Sequence, residues 1–165
     1  MDTRIQTSAA HRHGRGRLSA LSLGLSLAIV FAPTALAGGA TVTRGEISAF
    51  ATGVGQAIAG HAVMIRTADG RTIVSVHVQG LAAGTTYASH VHQQPCGVGD
   101  ADGHYRFDPA GPATPPNEIW PGPFTTNGAG VGNANTIADG TAGAAAVSVV
   151  IHAPGGAKIA CADLS

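Results

Sequence analysis

Arg71-Thr72-Ile73-Val74-Ser75-Val76-His77-Val78-Gln79 alternates side-chain character with a period of two, the mark of a strand with one face buried. Val74, Val76 and Val78 share one face, and Ser75, His77 and Gln79 share the other. Just before it, Ala68-Asp69-Gly70 supplies turn residues that tolerate positive φ, and Ala62 to Thr67 supplies a second arm. A β-hairpin is therefore expected. Within it His77 is a solvent-facing strand residue. His61, on a face with Val63 and Ile65, is a structural histidine at a strand entrance.

The rest of the chain has the same character. From Gly38 onward Gly, Ala, Val and Thr dominate, and no segment has the length and 3.6-residue period of a helix. Strands are expected over Thr41 to Thr52, Thr86 to His92, Ala144 to His152 and Ala157 to Asp163. A second hairpin is expected from Phe124 to Thr126 and Gly130 to Ile137, around Asn127-Gly128. Residues 93 to 118, with five prolines and four glycines, form a long loop. About eight short strands make an all-β chain, a closed or sandwiched antiparallel barrel.

Length and charge narrow the function. The 165 residues suit one folded domain preceded by a leader. Arg4, Arg12, Arg15 and Arg17 precede an apolar run over residues 18 to 32, and Ala35-Leu36-Ala37 is an A-x-A cleavage signal, so residues 1 to 37 read as a secretory signal peptide. The run of about 15 residues is short of the roughly 20 a spanning helix needs. Residues 38 to 165 are then a domain released outside the cytoplasm, secreted or periplasmic, with no membrane anchor. They carry five basic and eight acidic side chains, a net charge of 5 − 8 = −3. With no basic run to follow a phosphate backbone, nucleic acid is an unsuitable partner. No phosphate-cradling glycine loop or serine nucleophile elbow is present. Cys96 and Cys161 are the only cysteines, and in an oxidising compartment one disulfide is expected.

The chemistry gathers at His90-Val91-His92. Strand alternation points both rings to one side and Val91 to the other. His104 follows a turn-rich segment, and His152 ends Val147-Ser148-Val149-Val150-Ile151-His152. Together they are a candidate four-nitrogen metal site. Imidazole suits several transition metals, and copper(II) tops the divalent affinity order, so copper is the first expectation.

The order Gly80-Leu81, His90-Val91-His92, Cys96, Gly103-His104, Val149-Val150-Ile151-His152 and Ala160-Cys161 resembles copper/zinc superoxide dismutase over most of residues 60 to 163. The resemblance implies an eight-stranded antiparallel Greek-key barrel, His90, His92, His104 and His152 as copper ligands, and a Cys96–Cys161 disulfide. It implies superoxide as substrate, converted to dioxygen and hydrogen peroxide. Two departures bear on function. Between His104 and His152 there is no histidine, so the family's zinc site is missing and the chain is similar to its copper-only branch. There a glutamate hydrogen-bonds the histidine that would otherwise bridge to zinc. Glu118 is the candidate, with an ordinary solvated carboxylate as the alternative. The segment from His152 to Cys161 is also short, which opens the metal to solvent and predicts a slower enzyme with weak salt dependence. Lys158 falls at the family's anion-holding arginine, keeping the charge without the planar fork, or else is a plain surface lysine. His104 is the expected proton carrier. A non-enzymatic copper-storage protein on the same fold is the competing expectation, and a purely structural β-module is a third.

Overall fold

The computed structural model describes residues 39 to 165; the leader assigned to residues 1 to 37 lies outside them. Eight strands follow in chain order: β1 (Thr41–Ala49), β2 (Ala59–Arg66), β3 (Arg71–Gln79), β4 (Thr86–His92), β5 (Phe124–Thr125), β6 (Gly132–Asp139), β7 (Ser148–His152) and β8 (Lys158–Asp163). They pair antiparallel in the order β5-β4-β7-β8-β1-β2-β3-β6 and curl into a nearly closed Greek-key barrel. The connections from β3 to β4 and from β6 to β7 each skip across the sheet. They thereby set β4, which carries His90 and His92, beside β7, which carries His152. Among the described residues there is no α-helix, and none long and apolar enough to cross a membrane.

The first hairpin forms as the alternation predicts, with Thr72, Val74, Val76 and Val78 buried and Ser75 and His77 half-buried on the opposite face. Its inner residues meet Ala62 and Met64 of β2 and Ile47 of β1 in the core. On the outer face the register lines up whole rows across four strands. Val42, Ile65, Ile73 and Ile137 form one row, and Glu46, His61, His77 and Asn133 another. Thr72, fully buried, keeps its hydroxyl satisfied by donating to the Gly140 carbonyl at 2.7 Å and accepting from the Ala142 amide at 2.8 Å.

Several strand boundaries differ from expectation, those at β1 and β7 by three residues or more. β1 ends at Ala49 rather than Thr52, and Ala51–Gly53 forms a 3-10 turn. A Cβ on Gly53 would lie 2.2 Å from the Ile159 carbonyl oxygen, so backbone packs on backbone where a strand was expected. β7 starts at Ser148 rather than Ala144. The larger correction is the second hairpin. β5 pairs with β4 and β6 with β3, so Asn127-Gly128 joins the two edges of the sheet instead of tying two mutually bonded arms. Asn127 still organises this turn, its Oδ1 accepting from the Ala129 and Val131 amides at 2.9 and 3.0 Å. Where no ladder joins β5 to β6, the Phe124 ring packs on Gly132, a Cβ on which would lie 2.3 Å from it.

Candidate metal centre

Alternation along β4 and β7 sorts their side chains cleanly. Val91, Val149 and Ile151 enter the main core, while His90, His92 and His152 project from the other side of the same two strands. There the register sets Ala88 opposite His152 and His90 opposite Val150. His104 comes from the long loop, which re-enters the sheet through a bridge between His92 and His104. One ring nitrogen from each of His90, His92, His104 and His152 lies within 4.8 Å of the others. All four predicted ligands are thus brought together on the outer wall of the barrel, in a cleft that His90, His104 and His152 help to line.

The hydrogen bonds decide which nitrogens are free. His92 Nδ1 donates to the Asp102 carbonyl at 3.0 Å, and His152 Nδ1 to the Gly156 carbonyl at 3.0 Å. A carbonyl only accepts, so both protons sit on Nδ1 and both lone pairs on Nε2. Those two Nε2 atoms face each other at 3.3 Å. Two lone pairs at that distance make no hydrogen bond with each other. His104 Nδ1 contacts Glu118 Oε2 at 2.8 Å, which frees its Nε2 as well. His90 Nδ1 is buried without a partner, an expensive arrangement for a polar atom. These are the features expected where a cation supplies the missing partner.

Burial keeps the rings of His90, His92 and His152 unprotonated. His90 and His92 are each pushed down to about 3, first by desolvation and then by the neighbouring histidines, and burial lowers His152 too. Neutral imidazoles are the ligating form. A nitrogen set of this kind fits copper, zinc or another late first-row ion.

Around the rings stands a second layer of contacts. Glu118 has a side chain only 2% exposed, so it is no solvated loop carboxylate. Its Oε2 also accepts from Trp120 Nε1 at 2.7 Å, and the Trp120 ring lies 4.9 Å from that of His90. Lys158 Nζ donates to the carbonyls of Asp100 and Asp102 at 2.8 and 2.7 Å. The Asp102 carbonyl therefore serves both Lys158 and His92. Asp100, Ala101 and Asp102 hold φ of 51°, 66° and 51°, a left-handed run that begins at Gly99 and turns these carbonyls inward. Cys96 and Cys161 are joined by a disulfide. It ties the loop to β8 beside Ala101 and Val150. Trp120 and the carbonyls of Asp102 and Gly156 were missed by the sequence reading. The i, i+2 spacing of Glu118 and Trp120 was the one available signal for the first.

No family model and no curated protein matches the chain. Solved structures do. Candida albicans superoxide dismutase 5, in its copper(II) form, superposes with a TM-score of 0.51 at 18% identity, over 74% of this chain and 90% of its own. A variant of that protein gives 0.54 at 19%, over 75% and 90%, and another 0.52 at 18%, over 75% and 90%. The fold is that of the copper/zinc superoxide dismutases. In this superoxide dismutase fold the histidine cluster occupies the outer wall, leaving the barrel interior to hydrocarbon. A small solute reaches the cluster through the cleft without entering the core.

Proposed function

We propose that the chain is a copper-dependent superoxide dismutase acting outside the cytoplasm. The observation that carries this reading is the lone-pair geometry: three rings fastened at Nδ1, the fourth with a buried partnerless Nδ1, and the free nitrogens turned toward one another. His90, His92, His104 and His152 would hold the ion. Copper, when bound, supplies the one-electron exchange between Cu(II) and Cu(I), while the protein supplies ligand geometry and access. Two superoxide ions and two protons then give one dioxygen and one hydrogen peroxide.

The chain's own groups handle protons and position. Glu118 keeps the Nδ1 proton of His104 in place, so its Nε2, once released from its role as a ligand, is the atom that would take up a proton and pass it to the departing product. Trp120 in turn fixes the Glu118 carboxylate by donating to it. Such contacts set the orientation and basicity of a ligating imidazole. Lys158 spends two of its three donors on loop carbonyls, which leaves one to attract an anion. We propose no zinc site beside the four-histidine cluster. His104 Nδ1 already faces Glu118, and the one other ligand cluster among the described residues, Cys96, Cys161 and Asp163, has its sulfurs in the disulfide. The disulfide and the leader-like residues 1 to 37 support an extracytoplasmic site of action. They also support a domain that begins at residue 38.

The engagement of Lys158 by two carbonyls favours a second reading, a copper-storage protein with a weakened anion guide. One experiment separates the two. Purified protein is analysed for metal and then mixed with superoxide, beside His104→Ala. About one copper per chain with rapid superoxide loss, depressed in the variant, supports the enzyme. Copper without turnover leaves storage, and failure to retain copper overturns both.

A further inference from the structure

We propose that His61 and His77, with Asn133 behind them, form a second and exchangeable binding site for a late first-row divalent ion on the opposite sheet wall. The register sets His61 of β2 directly across from His77 of β3, with Asn133 of β6 next in the row and Glu46 of β1 on the far side. Residues in register on antiparallel strands project from the same face. Their ring centroids lie 5.4 Å apart, with planes inclined at 35°. An imidazole nitrogen sits about 1.1 Å from its ring centroid and bonds zinc or copper at about 2.0–2.1 Å. Each centroid thus stands about 3.2 Å from a shared ion. Two such arms spanning 5.4 Å meet at about 115°, close to the tetrahedral angle of a nitrogen-ligated zinc. Two rings already lie within bridging reach.

The tautomer is prepared as well. Asn133 Oδ1 lies 2.8 Å from His77 Nδ1 and accepts its proton, leaving the Nε2 lone pair free. The ring of His61 has no hydrogen-bond partner among the described residues, and the residue is exposed. Glu46, His61 and Val63 line a shallow surface hollow together with Arg44. Glu46 has no ion-pair partner among the described residues and offers an anionic neighbour, while Arg44 in the adjoining row opposes a cation. The balance is a two-nitrogen site completed by water, weaker than the four-histidine cluster and open to exchange. Copper(II) heads the affinity order for such donors, followed by nickel and zinc.

The full chain, first given one equivalent of copper(II), is titrated calorimetrically with zinc(II), a probe that does not displace copper(II) from the tighter cluster. Because His11 and His13 also belong to the chain, the reading comes from variants. His61→Gln and His77→Gln each remove one equivalent of zinc binding or weaken it at least about tenfold, and Asn133→Ala weakens it about tenfold. The spectrum of the copper already bound stays the same in all three. Zinc uptake of unchanged stoichiometry and affinity in the double variant overturns the proposal, as does a parent chain that takes up no zinc at submillimolar concentration. These outcomes do not depend on whether the copper turns superoxide over.

Discussion

Replacing both Cys96 and Cys161 by alanine should remove about 4 kcal/mol of folding stability. The bridge closes a loop with a sequence separation of 65. In the chain-entropy account, a loop of that size withholds about 14.5 cal/mol/K from the unfolded ensemble, or roughly 4.3 kcal/mol at 25 °C. Cys161 is 2% exposed, so truncation there adds a small cavity cost of about 1 kcal/mol or less. For a domain of this size, the entropy loss alone lowers Tm by about 12–17 °C. Urea unfolding of the metal-free protein measures the change, with the parent chain under strong reductant as a second sample. The double variant and the reduced parent should both unfold well below the oxidised parent and within about 1 kcal/mol of each other, the variant slightly lower. A loss under about 1.5 kcal/mol with an unchanged m-value would refute the reasoning, because it would mean that closing this loop does not restrict the unfolded chain.

Glu118→Gln keeps an acceptor but removes the charge beside His104. Superoxide turnover of the copper-loaded protein should fall about tenfold or more, with the pH profile of the rate displaced and the unfolding midpoint nearly unchanged; a parental rate and profile would contradict the role given to this carboxylate. Acid should destabilise the metal-free protein before the carboxylates titrate. Folded His90 and His92 titrate near 3 against 6.5 when unfolded, so below about pH 6.5 the unfolded chain binds more protons and stability is lost as pH falls. A urea midpoint that stays flat from about pH 6.5 to 5 would contradict the burial of these two rings. Asp100 is exposed at φ 51°, a conformation that glycine adopts without steric cost. Asp100→Gly should therefore stabilise by about 0.5–1 kcal/mol in the same titration, and a destabilisation would mean that its side chain contributes a contact not apparent in the fold.

Much of the fold was legible because alternation is a local property. Val74, Val76 and Val78 declare their face without reference to any partner, and Asp69-Gly70 declares the turn. Half of the histidine cluster was legible for the same reason, since His90 and His92 share a strand face whatever lies opposite, whereas His104 and His152 join it only through the loop and the pairing of β4 with β7. Pairing is not local. Asn127-Gly128 says that the chain turns, but only the pairing of β5 with β4 and of β6 with β3 says that the two arms do not bond to each other. Backbone groups were invisible for a different reason: every residue has a carbonyl, and nothing in Asp102 or Gly156 marks theirs as the ones that orient a histidine. The partners of Lys158 depend likewise on three non-glycine residues with positive φ, which composition does not announce.

The barrel has a seam. β5 is two residues long and holds β4 through two register pairs, whereas β6 is laddered to β3 over eight. Between β5 and β6 the closure is a phenyl ring laid on a glycine rather than a run of hydrogen bonds. Local opening should start along this line, so deuterium should enter the amides flanking it before those of β7 and β8. One lip of the seam, β5, is paired to β4, the strand that carries His90 and His92. Breathing there gives the metal centre a soft flank on one side, while the disulfide and the Lys158 contacts brace the other.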